Sequence, residues 1–233
     1  MKLLAIAVAA PLFAAAALCT SPVFAQGSTQ SIPMPRPTPP EASLAPSAEA
    51  QAWVQKHLAG WPQPTQRLGA RLVTKYGPPT EVTERQVTWH GNGPWKRTTL
   101  YKEEVAHNFA VAHKDVLEQT VSYRVPPDKV AAITQFNGSV SVNRTRGEIS
   151  SISDSEDTNF LALNVADDIA KGERDVERAM TYYAQLIRAK MIKEPEHDLQ
   201  ALHFTPPKPG DAADPGEVAP LIKHMANPNT PGD

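Results

Sequence analysis

A run of strict alternation near the middle of the chain constrains the fold most. Leu117, Gln119, Val121, Tyr123 and Val125 fall on one side, and Glu118, Thr120, Ser122 and Arg124 on the other. Successive side chains of a strand point to opposite faces, so this segment predicts a strand packed on one face and polar on the other. Such a strand needs paired neighbours and a layer over its apolar face. The flanking sequence supplies both. Val87 and Trp89 share one side of a strand over 81–89, and Thr98 to Val105 alternate in a strand over 96–105. Between them Asn92-Gly93 marks a hairpin, because both residues tolerate positive φ. Val140 and Val142, then Ile149 and Ile152, read as a second hairpin around Arg144-Thr145-Arg146-Gly147.

Helical periodicity brackets these strands. Ala50, Trp53, Val54, Leu58 and Trp61 fall on one helical face. Thr65 is placed to cap a second helix carrying Leu68, Leu72, Val73 and Tyr76, which Gly77-Pro78-Pro79 stops. A short helix follows Pro126-Pro127-Asp128. Ser153 and Glu156 have capping-box spacing ahead of Phe160, Leu161, Val165 and Ile169. The stripe Val176, Ala179, Met180, Tyr183, Leu186, Ile187 and Met191 makes the last helix. Helices are predicted over 47–60, 64–76, 157–171 and 173–193. The fold class is α+β: an antiparallel sheet of about four to six strands, covered on one face by N-terminal and C-terminal helix pairs.

The ends of the 233-residue chain differ from this middle. Lys2, the apolar run Leu3–Leu18 and Val23-Phe24-Ala25 are the three parts of a secretory signal, with cleavage expected after Ala25. The run is too short for a spanning helix, so no transmembrane segment is expected after cleavage. Cys19 raises the question of a lipid anchor, but Leu18 occupies the position before it where lipoproteins carry a small residue. Pro33 to Pro40 form the centre of a Pro-rich stretch that reads as an extended spacer, and Pro206-Pro207-Lys208-Pro209-Gly210 give the C-terminal end the same character. The expected organisation is a signal peptide at 1–25, a disordered linker at 26–46, one domain at 47–194 and a disordered tail at 195–233. Within the tail, Val218, Leu221, Ile222 and Met225 can share one face of a short helix.

A formal net charge of −2 at pH 7 argues against a nucleic-acid binder, whose affinity requires concentrated Lys and Arg. The chemistry-bearing residues cluster around His107-Asn108-Phe109-Ala110-Val111-Ala112-His113-Lys114-Asp115, with Glu103, Glu104 and His90 nearby in sequence. Histidines and carboxylates are zinc ligands. In one continuous strand, however, the two imidazoles would stand roughly 20 Å apart, and in a helix they would face different ways. The sequence therefore assigns no catalytic, cofactor-binding or metal-ligating residue. Trp89, Trp95 and Tyr101 with Lys96, Arg97 and Lys102 offer a sugar or nucleotide platform, although hairpins use the same aromatics for cross-strand packing. Asp154, Glu156 and Asp157 suit a helix N-terminus, where negative charge complements the macrodipole.

Leu72-Val73-Thr74-Lys75-Tyr76-Gly77-Pro78-Pro79-Thr80-Glu81-Val82, followed by Val87-Thr88-Trp89, resembles a unit of small outer-membrane assembly lipoproteins and of the β-lactamase-inhibitor-protein fold. There a helix ends in Gly-x-Pro and feeds an antiparallel strand bearing a Trp. The resemblance implies protein binding without catalysis, and the residues before Cys19 depart from the lipoprotein pattern. The expectation is a periplasmic or secreted, non-enzymatic binding or scaffolding protein with envelope proteins as partners. The alternative is a metal-dependent periplasmic hydrolase using His107 and His113 with Asp115 or Glu103.

Overall fold

The structure, a computed structural model, describes residues 44–214 and 216. The signal segment, Cys19, the linker up to residue 43 and the apolar face at 218–225 lie outside the described residues. All described residues belong to one compact unit, Thr38–Asp233.

Two helices come first, α1 (Ala48–His57) and α2 (Gln63–Tyr76). The sheet strands are β1 (Glu81–Val82), β2 (Gln86–Asn92), β3 (Trp95–Phe109), β4 (Val111–Ser122), β5 (Val140–Asn143) and β6 (Glu148–Ser153). Helix α3 (Val130–Phe136) crosses between β4 and β5, and α4 (Glu156–Lys171) and α5 (Val176–Met191) close the series. The sheet has six strands in the order β1-β2-β3-β4-β6-β5, and every pairing is antiparallel. The α+β class with helix pairs at both ends is thus observed.

The alternation in β4 does what it predicts. Leu117, Gln119 and Val121 lie fully inside the core. Their cross-strand partners Leu100, Thr98, Ser153, Ser151 and Ile149 share that face. Two apolar clusters cover it. Helices α1 and α2, with Leu58 capping the first, pack Val54, Leu58, Leu68 and Leu72 against Val87, Trp89, Leu100 and Leu117. Helices α3, α4 and α5 pack Phe136, Leu161, Val165 and Tyr183 against Trp95, Val121, Val140 and Ile149. Each fully buried aliphatic side chain contributes about 1.5–3 kcal/mol. The two layers meet at Glu156. Its carboxylate, fully buried, accepts from Lys75, Tyr76, Trp95 (2.7 Å) and Gln119 (3.2 Å), so a helix from each layer and two strands converge on one charge.

Several local expectations change. Helix α2 starts at Gln63 with Pro62 at its cap, and Thr65 is buried instead of capping. The capping box does not form, because the Glu156 side chain turns inward to Lys75 and its neighbours. Trp89 and Trp95 are core residues, so the aromatic platform dissolves, and Trp89 Nε1 donates to the Gly77 carbonyl (2.8 Å) where α2 stops. The body also continues beyond 194. Leu199 is buried, Phe204 stacks edge-on to Tyr123, and Ala212 packs over Gly147. A Cβ on Gly147 would come within 2.2 Å of the Ala212 carbonyl carbon, so this seat admits only glycine.

Candidate functional site

β3 and β4 are much longer than the alternation alone predicts, and their distal half forms an arm. Pairing is interrupted between Leu100 and Val105 and resumes outward to Phe109 opposite Val111. One residue makes the turn: Ala110, in the left-handed region at φ 57°. The expectation of a single continuous strand through 107–113 is therefore overturned. The chain reverses at Ala110 and sets His107 directly opposite His113. Their ring centroids are 5.0 Å apart instead of roughly 20 Å. No Gly or Pro marks this turn, and Asn108 is paired in the ladder opposite Ala112, so periodicity reads through it.

Asp115 lies one strand repeat from His113, on the same face. His113 Nε2 is 3.0 Å from Asp115 Oδ1, and His107 Nδ1 is 3.2 Å from Asp115 Oδ2. Ser139, just before β5, donates to Asp115 Oδ2 at 2.8 Å and contacts His107 Nδ1 at 3.1 Å. Asp115 is only 5 % exposed. Its Oδ1 is buried with no donor aligned on it to complete a hydrogen bond. The close Asp115 carboxylate is the main cause holding the His113 ring above its ordinary value, with the Val111 carbonyl helping and burial opposing. One ligand atom each from His107, His113 and Asp115 lies within 4.8 Å of the others. The other sequence candidates lie elsewhere. His90 pairs with Glu81 on the surface, Glu104 reaches Thr65 across a cleft, and Glu103 lines a groove with Arg85 and Lys102.

Beside the arm is a pocket of about 220 Å³. Phe109, Val111, Tyr183, Ile187 and Met191 form its apolar walls, and His113, Asp154, Thr158 and Lys190 its polar end. Phe109 anchors the arm tip, meeting Tyr183 at 4.8 Å and Phe136 at 5.7 Å. Lys190 is committed to Thr158, Ser155 and Asp157 at 2.7, 2.8 and 3.1 Å. Burial works to raise the Asp154 carboxyl, but Lys190, Ser155 and His113 outweigh it and hold the group below its ordinary value.

A second histidine–carboxylate group joins α4 to the segment after α5. His203 Nε2 lies 2.9 Å from Asp167 Oδ2 and 3.7 Å from Asp168 Oδ1. Here Asp167 also takes the Tyr123 hydroxyl (2.6 Å) and Lys171 (2.7 Å), and Asp168 takes Arg174 (2.9 Å). Asp167 and Asp168 are noticeable in the sequence, but nothing there ties them to His203.

Comparison with known proteins gives no match to a family model, to a curated protein or to a solved structure.

Proposed function

We propose that this is an exported, non-enzymatic binding protein of the bacterial envelope, and that it grips a protein partner at the pocket between the arm and α5. One observation carries the reading. Large apolar side chains stand exposed at the pocket's mouth: Met191 at 67 % and Val111 at 42 %, with Ile192 next along the chain at 58 %. Exposed apolar clusters beside a cavity mark interaction sites. The size selects the occupant. About 220 Å³ is below the roughly 300–1,000 Å³ usual for small-molecule sites, and it suits one apolar anchor side chain of a partner chain. The resemblance of the α2–β2 unit to protein-binding envelope families supports the same class.

The test uses the full mature chain against displayed random peptides. Selected peptides should share a large aromatic or branched apolar residue, and binding should fall at least tenfold for the Val111→Asp/Met191→Asp variant, whose sites are exposed. Peptides without an apolar anchor, or equal binding by the variant, would overturn the reading. Export has its own check: the mature protein from its native host should begin at Gln26, and an acylated Cys19 at its N-terminus would refute that.

A further inference from the structure

We propose that His107, His113 and Asp115 bind one divalent transition-metal ion of the zinc class. The ligands come from adjacent strands of the arm. His107 and His113 are cross-strand partners, and Asp115 is the next residue inward on the same face. That face is rigidified by Phe109 against Tyr183 and Phe136 and by Ser139 against Asp115.

Proton positions favour a cation among these groups. A carbonyl oxygen only accepts, so the 2.8 Å contact of His113 Nδ1 with the Val111 carbonyl places a proton on Nδ1. In the neutral ring the lone pair then sits on Nε2, and Nε2 faces Asp115 Oδ1 at 3.0 Å. A lone pair against a carboxylate oxygen is repulsive unless something positive lies between them. A proton on Nε2 meets that need at Oδ1 alone, while His107 Nδ1 faces the other oxygen, Oδ2, at 3.2 Å. A metal ion meets it for all three groups at once. The backbone carbonyl behind His113 is then the outer partner that fixes tautomer and ring direction in metal sites.

Asp115 gives the second, independent observation. It is only 5 % exposed, and its Oδ1 faces the His113 ring, whose Nε2 at 3.0 Å is not aligned to complete a hydrogen bond. A buried carboxylate oxygen without a well-aligned donor favours a cation beside it. In a four-coordinate zinc site, ligand atoms about 2.0–2.2 Å from the metal stand roughly 3.4 Å from one another. The ligand atoms here lie within 4.8 Å, so the distance left to close is on the order of 1 Å. Two imidazoles and one carboxylate suit zinc and its neighbours, while magnesium and calcium prefer all-oxygen shells. Three protein ligands leave one coordination position open. His113 also lines the apolar pocket, so ion and pocket share a wall.

The experiment titrates Zn²⁺ into chelator-stripped full chain by calorimetry. One zinc should bind per chain. The His107→Gln/His113→Gln variant should bind at least about 100-fold more weakly, the upper end of what loss of an outer partner costs. His203→Gln, in the other cluster, should bind as the wild type does. A measurement that needs no variant guards against misfolding: zinc should shift the imidazole NMR signals of two of the seven histidines. No saturable binding, binding that survives His107→Gln/His113→Gln, or shifts confined to His203 would each overturn the proposal.

Discussion

The arm and the junction of α4 with the segment after α5 contain the same residue types in opposite states of completion. At the junction, Asp167 is 1 % exposed yet takes a phenol, an ammonium and an imidazole, and Asp168 takes a guanidinium. In the arm, Asp115 is 5 % exposed, and its Oδ1 has the His113 ring at 3.0 Å without an aligned donor. Histidines beside carboxylates do not define a site. What separates the two regions is unspent acceptor capacity, and capacity of that kind invites a ligand.

The sharpest way to break this contrast is to remove the central carboxylate of the finished cluster. Asp167→Ala strips partners from Tyr123, Lys171 and His203 and should cost about 3 kcal/mol of unfolding free energy in urea titrations. Zinc should restore none of it. A loss below about 1 kcal/mol would mean that the junction is as loosely satisfied as the arm.

A smaller effect comes from pH. Burial is the largest influence on Asp168 and raises its carboxyl above the ordinary 3.8, against Arg174 and His203. A raised acid favours the folded state in its protonated form. Its contribution is fully present below 3.8 and is lost as pH rises through the elevated value. Wild-type stability should therefore decline relative to Asp168→Asn as pH climbs from acid to neutral. A difference that is flat, or that moves the other way, would show that Arg174 already compensates the buried charge.

The smallest effect is expected at another histidine–carboxylate contact, His90 with Glu81, where both side chains are about half exposed (49 % and 58 %). His90→Ala should move stability by less than about 0.5 kcal/mol, because water and salt screen such pairs. A larger change would show that exposure does not rank these contacts.

The sheet was readable because its signals are local and redundant. Leu117 to Val125 state their period, and Gly77-Pro78-Pro79 and Asn92-Gly93 state their stops. The candidate site was not, because it hangs on a turn with ordinary local chemistry. Ala110 adopts a left-handed conformation only because cross-strand pairing on both sides and Phe109 in its aromatic seat hold it there. Tertiary context decided what propensity could not. Glu156 shows the same limit from the other side. Its spacing from Ser153 is right for a cap, but Lys75 and Trp95 arrive from distant parts of the chain and take the carboxylate. The pairing of Asp167 with His203 is equally non-local.

The one-residue turn at Ala110 makes the arm a ruler with a single graduation. Side chains alternate faces with a period of two, so slipping one strand past the other by one residue would send His113 and Asp115 to the opposite side from His107. Point substitutions along the arm can be absorbed by neighbouring side chains, but a single inserted or deleted codon between 108 and 112 cannot. The cluster's tolerance to change is thus set by reading length more than by chemistry.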